Sequence, residues 1–323
     1  MGITFSAVQK MDELDLFSRG GVSILDIGSS NLYSATPDDI KRFLGKFQKS
    51  SLADVDEFAA RLAAGSSYDP VLGGRNEAFV GELFEKAGMQ YASFDIAAGY
   101  RTTILDLNHA ALPPAFRGKF DLVLNFGTTE HILNQLNCFK VIHDATKVGG
   151  YIYHSLPAVG YVNHGYITYT GRCFFDVAGF NEYELVACWF DGPSGGACIF
   201  ESLEGYSAYF PALGKALKGF AETERGRVLR DLRIPDIGIN VIYRKVKDRP
   251  FLGALEFSTS VGVIPQEVTS AYDGAWARSA AALRSPMLAS LKRRAAAALR
   301  DYPPLYRAAR RAFRAIAGIC RRA

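Results

Sequence analysis

The sequence predicts an α/β chain whose first two-thirds form a doubly wound, mostly parallel sheet of seven strands. Three observations predict it. Short β-rich runs alternate with segments of helical spacing, the pattern that right-handed βαβ units produce. Several of those runs end in an acid or a glycine, where strands of such a sheet meet their ligands. The chain also has 323 residues, 49% of them hydrophobic and 22% charged, enough core for one large domain with decoration.

The elements follow in order. The run 22–27 (VSILDI) ends at Gly28 and reads as a buried parallel strand. Residues 34–74 form a polar, irregular stretch with one helix around Asp54–Ala64. This is read as an insertion after the first strand, above the ligand face, and so as a candidate lid. From Asn76, NEAFVGELFEKAGM has helical spacing at Phe79, Leu83 and Ala87, with Asn76 as N-cap and Gly88 as terminator. Strands are expected at 91–96 (YASFDI), 102–107 (TTILDL) and 120–126 (FDLVLNF). The segment NQLNCFKVIHDATKVGG is helical, with Leu136, Phe139, Ile142 and Ala145 as its apolar face and a glycine pair closing it. Strands at 151–157, 183–190 and 239–246 complete the sheet. The sheet domain is thus residues 1–250, followed by a connecting segment, 251–282, and a helical C-terminal appendage, 283–323.

The appendage is distinct in charge. Residues 283–323 hold eleven Arg and Lys against the single acid Asp301, so the rest of the chain is net acidic beneath an overall charge of +4. Ser285-Pro286 starts one helix with Leu288, Leu291 and Leu299 on a stripe. After Pro303-Pro304 a second helix sets Phe313 and Ile316 beside Arg307, Arg310, Arg311 and Arg314. Basic amphipathic helices suit an anionic membrane surface, though the tail can equally pack on the acidic body or stay solvated. Nucleic acid is not expected, because no basic-aromatic platform accompanies the charge.

Other classes fall away on composition. No apolar run is long enough to span a bilayer. The start MGITFSAVQKMDELDLF lacks a basic-then-apolar leader, so a cytoplasmic protein is expected, peripheral at the inner membrane surface if the tail binds there. The five cysteines (Cys138, Cys173, Cys188, Cys198, Cys320) are scattered without CxxC or zinc spacing, and no metal site is expected.

The chemistry-bearing residues cluster at strand ends. The first strand runs into DIGSSNLY (26–33), which keeps Gly28 of G-x-G-x-x-G but has Ser30 at the second glycine position and no glycine at the third. A dinucleotide pyrophosphate needs close backbone approach at several points, so this loop argues against NAD or FAD, and a cofactor without phosphates is better accommodated. Asp26, Asp95 and Asp106 follow three successive strands. Each alone reads equally as a cap or a solvated strand end; the ordered set does not.

ILDIGSS, SFDI, ILDLN, FDLVLNFGTTEHI and VGGYIYHSLP, taken together over roughly residues 20–190, resemble the class I S-adenosylmethionine (SAM)-dependent methyltransferases. The resemblance implies a Rossmann-like methyltransferase fold, SAM as cofactor, and methyl transfer to a small-molecule or glycan-like acceptor. It implies that Asp26, Gly28 and Ser30 hold the methionine portion, Asp95 and Ile96 the ribose, and Asp106 and Leu107 the adenine. Asn125 and Phe126 then line the cleft, with Glu130 and His131 on the acceptor side. Methyl transfer needs orientation and, for a hydroxyl nucleophile, a base. His131, His164 and Glu130 are the candidates, while His154 in a strand and His143 in a helix read as packed. Tyr166, Tyr169 and Phe174 are candidate acceptor-pocket walls. The depleted glycine loop leaves a second reading open, a non-catalytic binding or scaffolding module that kept the fold.

Overall fold

A computed structural model describes residues 2–17, 21–47, 52–69, 72–161, 164–191, 197–199, 236–255 and 265–272. The basic tail, and with it the two helices expected there, lies outside the described residues. Among the described residues no helix is long and apolar enough to cross a membrane.

The chain opens with β1 (Gly2–Thr4) and α1 (Phe5–Glu13), then enters the main sheet at β2 (Ser23–Ile27). Next come β3 (Asn31–Tyr33), α2 (Pro37–Leu44), α3 (Leu52–Gly65) and the hairpin β4 (Tyr68–Asp69) with β5 (Gly73–Gly74). Then α4 (Val80–Lys86), β6 (Gln90–Asp95), β7 (Thr102–Ile104), β8 (Phe120–Phe126), α5 (Gln135–Ala145) and β9 (Thr146–Val159) build the βαβ body. The chain continues as α6 (Gly171–Phe180), β10 (Glu184–Asp191), β11 (Ala197–Ile199) and β12 (Ile237–Arg244).

The main sheet has the order β11-β10-β12-β9-β8-β2-β6-β7. β7, β6, β2, β8 and β9 pair in parallel. β12 is antiparallel to both β9 and β10, so β10 runs with the parallel set. Seven strands are those expected from the sequence; the short β11 adds an eighth, antiparallel to β10. Strand order reverses beside β2, from which the chain first builds outward through β6 and β7 and then returns to the other side at β8. Ligands of doubly wound sheets sit beyond the carboxyl ends at that reversal, between the loops leaving β2 and β8. This is the Rossmann-like methyltransferase fold.

Every residue of β2 is buried, as expected of a central parallel strand. The 34–74 stretch differs from its polar, irregular expectation. Thr36 caps α2 reciprocally with Asp39, and Pro37 fills the first helical position. The helix then buries Ile40, Phe43 and Leu44 in the same core as Ile24 of β2, each contributing roughly 1.5–3 kcal/mol. Phe43 meets Phe5, Phe17 and Phe84 ring to ring. One face of the insertion, Ile40, Phe43 and Leu44 of α2 with Ala59 and Leu62 of α3, is therefore anchored in the core, while Tyr68 and Leu72 at the β4–β5 hairpin are exposed.

Two capping expectations are corrected. Asn76 is not the N-cap of α4: it sits at φ 58° and its Oδ1 accepts from the Tyr33 hydroxyl at 2.5 Å. The helix starts at Phe79, whose N–H is accepted by the Glu82 carboxylate at 3.2 Å. Gly88 does terminate the helix in a left-handed conformation, φ 83°. The glycine pair after α5 closes no helix; Thr146 already begins β9, and Gly149-Gly150 lies inside it. α5 also turns Leu136 outward and buries Cys138 and Val141 instead.

Candidate active site

The loop after β2 is built around Asp26. Its carboxylate accepts from Ser30 N at 2.6 Å, Ser30 Oγ at 3.1 Å and the Tyr91 hydroxyl at 2.8 Å. Asp26 is fully buried, and that burial, against the hydrogen bonds that lower it, pushes its pKa up to about 6. Gly28 takes φ 117° and donates to Phe94 O at 2.7 Å; only glycine adopts that conformation without strain. Ser29 Oγ accepts from Tyr100 N at 3.1 Å and from Thr102 Oγ1 at 3.0 Å, tying the loop to the segment after β6. Asp26 and Ser30, expected from the sequence to touch a cofactor, direct their side chains into this network. Both side chains are spent on each other and on Tyr91, and they hold the loop that presents Gly28 and Ser29.

The two other acids stand where the sequence put them, at the carboxyl ends of neighbouring strands. Asp95 closes β6, half-buried, with Oδ1 accepting from Ala97 N at 3.1 Å. Asp106 is exposed in the turn after β7, which ends earlier than expected, and accepts from Asn108 N at 2.9 Å. Ile96 is largely exposed beside Asp95, whereas Leu107 is buried. A shallow hollow lined by Ser23, Gln90, Phe116 and Lys119 lies at the opposite, amino end of the sheet, away from these acids.

Asn125 and Phe126, expected to line the cleft, face the interior. Asn125 Nδ2 donates to Thr129 Oγ1 at 2.9 Å and lies 3.0 Å from His154 Nδ1, and Phe126 packs edge-on against Tyr153. Asn125 instead fixes the turn in which Gly127, at φ 67°, leads into a 3-10 helix at Thr129–His131. Thr128 Oγ1 donates to Ile27 O at 2.5 Å, joining this turn to the end of β2.

That turn carries Glu130 and His131, and a second segment brings His164. The Glu130 carbonyl accepts from both Tyr166 N at 2.8 Å and Ile167 N at 3.1 Å. Gly165 permits the approach, since a Cβ there would stand 2.9 Å from Glu130 Cγ. The result is a cluster, with His164 Nε2 3.5 Å and His131 Nε2 3.9 Å from Glu130 Oε1. The rings of His131 and His164 lie 5.2 Å apart, and Tyr161 packs edge-on against His164. Glu130 is fully buried, yet neither carboxylate oxygen has a hydrogen-bond partner among the described residues, and burial pushes its pKa up to about 7. Burial and the neighbouring His164 lower the pKa of His131.

The structure thus brings Glu130, His131 and His164 together. It leaves two other histidines packed, His154 among Phe139, Phe174 and Tyr243, and His143 between the Tyr183 hydroxyl and Arg249 O. Of the expected pocket walls, Tyr169 and Phe174 are core, with the Tyr169 hydroxyl 3.0 Å from Thr129 Oγ1, and only Tyr166 is exposed. Sequence reasoning missed Tyr91, Ser29, Thr128 and Thr129, for which only the polar residues inside YASFD, GSS and FGTTEH gave a signal.

Comparison with solved structures returns methyltransferases at low similarity. A SAM-dependent methyltransferase from Archaeoglobus fulgidus is 10% identical, with 74% of this chain and 94% of that one covered at a TM-score of 0.36. The StiE O-MT is 15% identical over 85% of this chain and 80% of its own, TM-score 0.31. Haemonchus contortus phosphoethanolamine N-methyltransferase 2, in complex with SAM, is 14% identical over 73% of this chain and 52% of its own, TM-score 0.33. No protein-family model matches the chain, and no curated protein sequence does. The fold therefore rests on the strand order described above.

Proposed function

We propose that the chain is a SAM-dependent methyltransferase acting on an oxygen or nitrogen nucleophile of a small-molecule or glycan-like acceptor. One observation carries the reading. At the strand-order reversal, the Gly28 loop, Asp95 and Asp106 stand on one side, and Glu130, His131 and His164 on the other. The donor set fits the cofactor: a left-handed Gly28 for close backbone approach, Asp95 for the ribose hydroxyls, Asp106 for the adenine end, and no pyrophosphate cradle. The cofactor supplies an activated methyl group on a sulfonium. The chain's own residues orient the acceptor, exclude water, and take the nucleophile's proton at the Glu130–His131–His164 end.

Calorimetric titration tests this, with S-adenosylhomocysteine expected to bind and NADH not. Binding of NADH alone would end the methyltransferase reading. S-adenosylhomocysteine binding with no turnover on any hydroxyl or amine acceptor would leave a cofactor-binding module. The tail adds a second element: eleven basic residues against one acid in 283–323 support peripheral, salt-reversible association of a cytoplasmic protein with anionic lipid. Co-sedimentation of the full chain with anionic vesicles at low but not high salt is the expected result, and equal pelleting on neutral lipid would refute it.

A further inference from the structure

We propose that Glu130, His131 and His164 form a binding site for a borderline divalent transition cation of the zinc class, with coordination positions left open toward the acceptor. Two imidazoles and one carboxylate are the donor set of such open sites, where three protein ligands leave room for water or substrate. All three donor atoms lie within 4.8 Å of one another. A tetrahedral cation bound at about 2.0–2.2 Å sets its ligands roughly 3.3 Å apart. The Glu130–His164 separation of 3.5 Å is already near that, and His131 at 3.9 Å is close. Rotation of the two half-exposed imidazoles, 41% and 47% accessible, can close the remainder without moving the backbone.

The independent observation is Glu130 itself. It is fully buried, its two oxygens have no hydrogen-bond partner among the described residues, and Oε1 faces both imidazoles. A buried polar group without a partner costs free energy, and protein interiors rarely tolerate one. Here the fold actively creates it. Two backbone N–H groups bind the Glu130 carbonyl, and a glycine at 165 is what lets the His164 segment lie against it. A cation satisfies the carboxylate and relieves the apposition of two imidazoles 5.2 Å apart.

The coordination is independent of the methyl-transfer reading; the use of the open position rests on it. With the cation bound, the three side chains serve as its ligands rather than as the base, and an acceptor hydroxyl at the open position loses its proton to solvent more readily. Its oxygen then forms the new C–O bond as the methyl–sulfur bond breaks, leaving a neutral thioether.

The test uses the full chain, freed of metal by chelator dialysis and titrated with Co(II), with visible absorption as the readout and Zn(II) competing. One equivalent per chain is expected, displaced by zinc, with at least tenfold weaker binding in His131→Ala and in His164→Ala. His109→Ala, an exposed histidine outside the cluster, should bind as the parent does. Both cluster histidines are half-exposed, so those variants keep the fold even if Glu130→Gln does not. Absence of stoichiometric cobalt, or equal affinity in both histidine variants, would overturn the site. S-adenosylhomocysteine titration of the same metal-free protein separates the two claims. S-adenosylhomocysteine binding with no cobalt binding sinks only this site, and cobalt binding with no S-adenosylhomocysteine binding sinks only the methyl-transfer reading.

Discussion

Replacing Asp26 by Asn isolates the electrostatic cost of the loop after β2. The carboxylate is fully buried and its pKa is raised from 3.8 to about 6, with desolvation as the largest cause. A folded-state pKa above the unfolded value means that the folded protein holds its proton longer. The stability this gives is fully present below pH 3.8 and is lost as pH rises through 6. Integrating between those two values, the carboxylate costs the folded state about 1.6 kcal/mol at pH 5 and about 3 kcal/mol at pH 7.5. Asn keeps the shape and cannot titrate. Its changed hydrogen bonds to Ser30 and Tyr91 shift stability by an amount that does not vary with pH. Urea unfolding of both proteins at pH 5, 6 and 7.5 yields a difference curve from which every other titrating group cancels. The parent should lose about 1.4 kcal/mol relative to Asp26→Asn between pH 5 and 7.5. A flat curve, or one in which the parent gains, would show that Asp26 is not held as described.

Three further outcomes follow from the same geometry. Asp95→Ala removes the carboxylate proposed to take both ribose hydroxyls. Two charge-assisted hydrogen bonds at roughly 1.5–3 kcal/mol each predict at least about tenfold weaker S-adenosylhomocysteine binding by calorimetry, with the fold intact. His143 has its pKa lowered by burial to about 4, so its contribution is present above pH 6.5 and lost as pH falls toward 4. Denaturant titration should show about 2 kcal/mol of stability lost between pH 7.5 and 5 that His143→Gln does not lose. Gly165→Ala puts a methyl 2.9 Å from Glu130 Cγ and 3.0 Å from its carbonyl. It should cost about 1–3 kcal/mol in thermal unfolding while reducing turnover more than S-adenosylhomocysteine affinity; unchanged turnover would show that the Glu130–His164 contact is incidental.

The sheet was legible because its strands are central and buried, and burial writes itself into sequence as continuous β-branched and aromatic runs. VSILDI and FDLVLNF have no exposed face to blur the pattern, and both are strands within a residue or so of their expected limits. The helices of the insertion were less legible. α2 is only eight residues long, and its acids and bases hide an apolar stripe at Ile40, Phe43 and Leu44. Its reciprocal Thr36–Asp39 cap was the signal that could have found it.

Site residues divide on a physical line. Glycine's left-handed freedom and an acid at a strand's end are local properties, and Gly28, Asp95 and Asp106 could be placed from them. Whether a side chain faces the cleft or the interior depends on partners far away in the chain. Asp26 is turned inward by Tyr91, 65 residues on, and Asn125 by His154, 29 residues on. A strand-end position supplies the means to reach a ligand, and a nearer protein donor takes it first. The Glu130 cluster shows the converse. TTEHI and VNHGY supply Glu130, His131 and His164 as candidates but not their convergence, because closure depends on one missing methyl at Gly165 and two backbone bonds to a single carbonyl. Neighbouring Glu130 and His131 alone form a pair at 3.9 Å; His164 at 3.5 Å makes them three converging donors around a buried carboxylate.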